Sequence, residues 1–158
     1  MTDKNKNLII RLISGFTLLP GVLYLLYLGG WWAAVLLGFA AGACAWEYIN
    51  ITLKGFTPVA WLTVLLAAAM PVLPIAYPQH ANAMISGATG LVLFSAWCWH
   101  LLRGPLPEAP LRTAHLLMAF IYGHGGLTAL AALRLVQGDG LMWVVSALVI
   151  TWGNDTST

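Results

Sequence analysis

The carboxylate with the richest chemical setting lies close to the C-terminal end of the sequence. Asp155 belongs to the polar run 151–156, Thr-Trp-Gly-Asn-Asp-Thr, which follows an apolar segment. Carboxylate oxygens bind hard cations such as Mg²⁺ together with substrate phosphates, and neighbouring Asn and Thr side chains can complete such a shell. A polar run of this kind also serves as a plain helix-end cap, so the residues alone leave both interpretations open.

Other polar side chains within apolar stretches are weaker candidates for chemistry. Glu47 lies about two helical turns before Lys54, which puts its carboxylate near a membrane boundary and requires it to be paired, hydrated or protonated. That position favours a packing partner for an Arg or Lys over a direct role in chemistry, although both stay open. No pair among His100, His115 and His124 has the spacing of a metal-binding motif, which favours core or interfacial histidines.

The elements that must position these residues are membrane helices. The 158 residues are 60% hydrophobic and 8% charged, with a mean hydropathy of +0.83, whereas soluble domains average about 25% charged residues. Five apolar stretches are long enough, at about 1.5 Å per residue, to cross roughly 30 Å of hydrocarbon. They cover residues 8–28, 31–53, 58–77, 81–102 and 114–136, and a shorter apolar run covers 141–152.

We therefore predict an all-α, polytopic integral membrane bundle with five full transmembrane helices and a sixth, shorter C-terminal segment. Residues 1–158 would form a single membrane-embedded domain. Within this bundle the run 123–126, Gly-His-Gly-Gly, lacks the phosphate-loop pattern and its Lys. Its glycines are expected to permit close helix contact or a kink instead.

The basic residues predict how the bundle is oriented. If the N-terminus is cytoplasmic, successive crossings bring Lys54, Arg103 and Arg112 to the same side, and Arg134 alone among the seven Lys and Arg residues falls outside. We therefore predict a multi-pass protein of the inner, cytoplasmic membrane with a cytoplasmic N-terminus. The net charge of +2 is too small and too scattered for nucleic-acid binding, so the expected partner is the lipid bilayer.

A family resemblance is carried mainly by the last third of the sequence. Its strongest elements are Leu133-Arg134, Gly138-Asp139-Gly140, Trp143-Val144-Val145 and the run 150–156. Weaker elements are Arg11 with Pro20, Gly29-Gly30-Trp31-Trp32, and Trp46-Glu47-Tyr48. In these features the chain resembles the phosphatidate cytidylyltransferases, also called CDP-diacylglycerol synthases. In that family a Leu-Arg pair, a Gly-containing turn and an apolar helix lead into a Trp-x-x-Asp-Thr motif.

The resemblance implies an activity and a set of site residues. The implied enzyme acts in phospholipid biosynthesis, joining CTP and phosphatidic acid to give CDP-diacylglycerol and pyrophosphate with Mg²⁺ as cofactor. It has a cytoplasm-facing site and forms a homodimer. Carried over by motif, Asp155 is a metal-binding or catalytic carboxylate, and Asn154 and Thr156 support it or bind the substrate phosphates.

Further motifs of that family do not occur in the 158 residues. These are an Ala-Tyr-x-x-Gly-Arg run, a lysine-rich Ser-Pro-Lys-Lys-Thr stretch and a His-Gly-Gly-x-x-Asp-Arg signature. The tripeptide at 124–126 does not supply the last one, because Leu127-Thr128-Ala129-Leu130 follows it. We therefore expect an N-terminal membrane portion of a longer enzyme, inactive on its own. A non-catalytic small polytopic membrane protein, such as a scaffold or transporter subunit, would explain the composition equally well.

Overall fold

The computed structural model of the chain describes residues 19–53 and 55–156, with side chains as far as Thr151. All regular elements in these residues are helical. The described part of helix α1 covers Leu19–Leu28. It is followed by α2 (Gly30–Leu53), α3 (Pro58–Ala69), a 3₁₀ turn (Met70–Val72), α4 (Leu73–Ala76), α5 (Ala81–Arg103), a second 3₁₀ turn (Leu106–Glu108), α6 (Ala109–Arg134) and α7 (Gly140–Thr156).

Four of these helical segments are long and apolar enough to cross a membrane, namely Gly30–Leu53, Pro58–Ala76, Ala81–Arg103 and Leu106–Arg134. Two further apolar helices, Leu19–Leu28 and Gly140–Thr151, are shorter. The prediction of an all-α polytopic membrane bundle is therefore confirmed. The predicted first span, residues 8–28, lies partly outside the described residues.

Proline chemistry interrupts the span predicted at residues 58–77. Pro58 occupies the first turn of α3, and the Thr57 hydroxyl caps that helix by accepting a hydrogen bond from the Ala60 N–H at 3.2 Å. Pro71 and Pro74 have no N–H to donate to a helix. The chain therefore passes from α3 through a 3₁₀ turn into the short helix α4 before it leaves the membrane region.

Two helix ends differ from the sequence-based boundaries. Helix α6 begins at Ala109 rather than at residue 114, because Pro110 is well tolerated in a first helical turn. The carboxylate of Glu108 also pairs with the Arg112 guanidinium at 2.7 Å, across one turn. At the other end of the chain, the backbone of α7 continues past Trp152 to Thr156, so the helix includes the polar run 151–156.

The centre of the bundle is built from small residues on α2, α3 and α6. A Cβ added at Gly38 of α2 would lie 2.6 Å from the Ala68 carbonyl oxygen of α3. One added at Gly123 of α6 would lie 2.9 Å from both the Ala41 carbonyl oxygen and the Ala45 Cβ of α2. Small residues of this kind let helix backbones approach closely in membranes, which confirms the expected role for Gly123. Large apolar side chains such as Phe39, 78% exposed, cover the outside.

Candidate functional site

Helix α7, which carries the candidate carboxylate, is held against the bundle by its first half. Val144 is fully buried in an apolar cluster that includes Ala33 of α2 and Ala131 of α6, and Leu148 packs against the same cluster together with Leu127. Only residues 135–139 separate α6 from α7, and the two helices pack on each other. The helix therefore runs back along α6, towards the end of the bundle where α2 ends and α6 begins, called here the α2–α6 end.

A tight turn between α6 and α7 sets the start of this helix. Gly138 has a φ of +84°, in the left-handed region that favours glycine. A Cβ on Gly140 would lie 2.7 Å from the carbonyl oxygen of Arg134, so this position also excludes a side chain. The Gly140 N–H donates to the Val136 carbonyl at 3.1 Å, and the Trp143 N–H to the Asp139 carbonyl at 3.0 Å. The two glycines of the Gly-Asp-Gly motif are thus structural requirements of the turn, whereas Asp139 contributes only its backbone carbonyl.

Arg134, the last residue of α6, fastens this turn to the end of α1. Its Nε donates a hydrogen bond to the Leu26 carbonyl oxygen and its Nη2 donates to that of Tyr27, each at 3.0 Å. The last carbonyls of a helix have no partner within the helix, and a cation near them also interacts favourably with the helix dipole. Gly29 makes room for the guanidinium, because a Cβ there would lie 2.8 Å from Nη2.

The predicted site residues lie at the opposite end of α7 from this anchor. The backbone of Asn154, Asp155 and Thr156 forms the last turn of the helix, while their side chains lie outside the described part of the chain. At about 1.5 Å per residue, α7 is roughly 25 Å long. Helix α6 has 26 residues and is about 39 Å long, so α7 runs towards the α2–α6 end, which carries Arg103 and Arg112, but covers only about two thirds of that length.

Glu47 and the histidines do not form a described site together with Asp155, whose side chain lies outside the described part of the chain. Among the described residues, the ion pair between Glu108 and Arg112 is the only one formed. Glu47 is exposed on α2, so its expected Arg or Lys partner is not found among residues 19–53 and 55–156. It lines a cavity of about 410 Å³ between α2 and α6 instead.

His100, His115 and His124 lie in the core of the bundle or at its edge, as the sequence indicated. His100 and His124 are 3% and 7% exposed. The ring of His124 lies 4.4 Å from that of Phe120, and its Nδ1 is 3.4 Å from the Thr128 hydroxyl. His115 is half-buried, with its Nδ1 3.4 Å from the Tyr48 hydroxyl. No cluster of three or more potential metal-ligating side chains occurs in the described part of the chain.

The fold and the candidate site thus define a polytopic helical membrane protein whose last described helix carries the candidate carboxylate. Comparison with known families makes this specific. The model of the cytidylyltransferase family, which includes the phosphatidate cytidylyltransferases, matches residues 9–158. The chain belongs to the cytidylyltransferase family, and its activity class is that of a nucleotidyltransferase. Curated proteins and solved structures gave no match to the chain.

Replacing Arg134 with Ala is expected to lower the free energy of unfolding by about 1–3 kcal/mol, because two charge-assisted hydrogen bonds are lost and two α1 carbonyls lose their partner. The loss is measured by titrating the micelle-solubilised chain with dodecyl sulfate and following tryptophan fluorescence. Arg103→Ala is the matched control, since Arg103 also ends a helix but lies 5.5 Å over the Trp99 ring at the surface. Equal stabilities of the two variants would contradict the anchoring role of Arg134.

Proposed function

We propose that the protein transfers the cytidylyl group of CTP to phosphatidic acid, forming CDP-diacylglycerol and pyrophosphate in phospholipid biosynthesis. One observation carries the proposal: a chain matched over residues 9–158 by the cytidylyltransferase family also has four helices suited to crossing a membrane. A nucleotidyl acceptor that is itself a lipid reaches a site in such a bundle without leaving the bilayer. The proposal includes the homodimer implied by the family resemblance.

The proposed step is a substitution at the α-phosphorus of CTP. A phosphate oxygen of phosphatidic acid forms a bond to that phosphorus, and the bond to the oxygen bridging the α- and β-phosphates breaks. Pyrophosphate leaves with the electron pair. Because nucleophile and nucleotide are both anions, the site must neutralise negative charge and hold the two groups in line.

The residues at the end of α7 fit a magnesium-dependent version of this step. Asp155 offers a carboxylate, Asn154 an amide oxygen and Thr156 a hydroxyl, which are the hard oxygen donors that Mg²⁺ prefers. Bound Mg²⁺ would supply positive charge to the phosphates of the substrates. In this proposal Asp155 holds the cation, while Asn154 and Thr156 orient the phosphates beside it.

The acceptor specificity tests the proposal. The product of the complete reading frame that encodes these residues is reconstituted in phosphatidylcholine vesicles with CTP and Mg²⁺. Phosphatidic acid, diacylglycerol or phosphatidylglycerol is added as acceptor, and lipid products are identified by mass spectrometry. We expect CDP-diacylglycerol with phosphatidic acid and no cytidylylated lipid with the other two. A cytidylylated product from either of those, with none from phosphatidic acid, would refute the proposed substrate.

The proposed orientation places the N-terminus and the α2–α6 end on the cytoplasmic side of the inner membrane. It is tested with single cysteines in a background where Cys44 and Cys98 are replaced by Ser. Leu106→Cys reports on the α2–α6 end, because Leu106 is 65% exposed, and Gln137→Cys reports on the α6–α7 turn. A membrane-impermeant maleimide added to intact cells, after the outer membrane is made permeable, is expected to label Gln137→Cys alone. Labelling of Leu106→Cys alone would reverse the orientation.

A further inference from the structure

A cavity of about 410 Å³ lies between α2 and α6 on the surface that faces lipid. It is lined by Cys44, Glu47, Tyr48 and Ile51 of α2 and by Tyr122 of α6. The rings of Tyr48 and Tyr122 are 6.2 Å apart and inclined at 40°. Ile51 is 71% exposed and Tyr122 is 69% exposed, so the cavity opens sideways into the surrounding leaflet rather than into the core of the bundle.

The lining has the chemistry of a cation site. Glu47 supplies a carboxylate, and the faces of two tyrosine rings attract an ammonium group through their quadrupoles. The remaining lining residues named above, Cys44 and Ile51, are apolar in character. A phosphate or carboxylate ligand would be repelled by Glu47, so the charge selects for a cationic group. We infer that this cavity binds the ammonium group of a zwitterionic phospholipid from the surrounding leaflet.

The depth of Glu47 suits a lipid head group. The 24 residues of α2 extend about 36 Å. The hydrocarbon core of a bilayer is roughly 30 Å thick, so the helix extends about 3 Å beyond it at each end. Glu47 precedes the last helical residue, Leu53, by about 9 Å of helix rise. Its flexible side chain therefore reaches the level at which lipid head groups meet the hydrocarbon, while Ile51 and Tyr122 offer apolar surface to the attached lipid.

A second, smaller cavity lies beside the first and is lined by both members of an ion pair, Glu108 and Arg112. Its volume is about 160 Å³, and Thr52, Arg112 and His115 are among the residues that line it. The Arg112 guanidinium is paired with Glu108 at 2.7 Å but keeps 38% of its side chain exposed, and its unpaired donors can meet a phosphate. The 3.4 Å contact between the Tyr48 hydroxyl and His115 Nδ1 joins the two cavities.

The first cavity therefore presents a carboxylate with aromatic rings, and the second presents the N–H donors of the Arg112 guanidinium that are not paired with Glu108. The carboxylate suits the ammonium group of a zwitterionic head group, and the guanidinium donors suit its phosphate. The site is built from α2 and α6, whereas the candidate catalytic carboxylate lies on α7. The inference does not depend on the proposed reaction, and lipid binding and cytidylyl transfer can fail separately.

Competition between two lipids that differ only at the nitrogen tests the inference. The micelle-solubilised full chain is mixed with equal amounts of phosphatidylethanolamine and N-acetyl-phosphatidylethanolamine, which keeps the phosphate but has no ammonium. Native mass spectrometry then measures the ratio of the two lipids retained by the protein. We expect an enrichment of the ammonium lipid of about fivefold, a modest factor in keeping with cation–π and carboxylate contacts near a membrane surface.

Two cavity variants and one control make the result specific. Glu47→Gln removes the negative charge and Tyr122→Leu removes one ring, and each is expected to bring the lipid ratio close to one. Tyr24→Leu is the control, because Tyr24 is a similarly exposed tyrosine, at 61%, on α1 and outside the cavity. This variant should keep the wild-type ratio. Helix content is checked by circular dichroism. Equal retention of the two lipids by the wild-type chain, or a ratio unchanged in both cavity variants, would overturn the inference.

Discussion

Replacing Asp155 with Asn in the complete enzyme is expected to lower the rate of cytidylyl transfer by about 100-fold or more, because a neutral amide cannot supply the charge that holds Mg²⁺ against the substrate phosphates. Initial rates are measured in vesicles over a range of Mg²⁺ concentrations. The expected signature is a lower maximal rate together with a shift of the Mg²⁺ dependence to higher concentration. A loss of the Mg²⁺ site should change both quantities, whereas a general packing defect would lower the amount of active enzyme alone.

Asp139→Asn provides the matched control for this variant. Asp139 precedes the other end of α7, in the exposed α6–α7 turn, and its backbone carbonyl accepts the hydrogen bond of the Trp143 N–H. The substitution makes the same chemical change and preserves that carbonyl. Its activity should stay within about twofold of the wild type, since surface substitutions away from special features have small effects. Full activity of Asp155→Asn would remove Asp155 from the site.

Replacing Gly123 with Leu is expected to prevent stable packing of α6 against α2. Even a Cβ at this position would lie 2.9 Å from the Ala41 carbonyl oxygen and the Ala45 Cβ, and both atoms belong to the helix framework. Overpacking typically costs about 1–3 kcal/mol, and a leucine side chain adds further atoms to a contact already too short for one. The loss of folded protein is measured by dodecyl sulfate titration, and Gly123→Ala should give an intermediate value.

Gly126→Leu distinguishes crowding from a general effect of lost glycine. Gly126 lies on the same helix, one turn further on, and a Cβ there would meet no atom within 4 Å. This variant should therefore stay within about 0.5 kcal/mol of the wild type, as is usual for substitutions on an open surface. If Gly126→Leu were as damaging as Gly123→Leu, the close contact between α2 and α6 would not explain the role of Gly123.

The membrane spans were predictable because hydrophobic length is a local property. Lipid demands about 20 consecutive apolar residues with all backbone groups bonded within the helix, and this demand can be read directly from the sequence. Helix ends were predicted less well, since they depend on single residues. The fifth apolar stretch begins at residue 114, whereas α6 begins at Ala109 because Pro110 is tolerated in a first helical turn. Pro71 and Pro74 interrupt a segment whose apolar composition gives no sign of a break.

The anchoring of α7 was only half predictable. The Leu-Arg and Gly-Asp-Gly motifs include the residues that hold the α6–α7 turn. Their spacing could not show that Arg134 caps a helix more than 100 positions earlier, at Leu26 and Tyr27. A local signal exists at Gly138, where glycine allows a positive φ. The need for glycine at position 29 cannot be read from the sequence, because it comes from the tertiary contact with Arg134.

The candidate site itself was identified from residue chemistry and resemblance rather than from geometry. Asp155 stays a prediction, and the structure describes its backbone only as part of helix α7. The setting of Glu47 could not be predicted, because Tyr122, which lines the same cavity, comes from α6 and shares no sequence pattern with α2. Helical spacing places Glu47 near a membrane boundary, but only the packed bundle shows the cavity beside it.

The fate of two isotopic labels tests the central claim most directly. The product of the complete reading frame is incubated in phosphatidic acid vesicles with CTP labelled at either the α- or the γ-phosphate, and the lipid fraction is counted. The proposed substitution at the α-phosphorus predicts label in the lipid from α-labelled CTP only, with γ-label recovered as pyrophosphate. Label entering the lipid from γ-labelled CTP would show phosphoryl rather than cytidylyl transfer and would contradict the account.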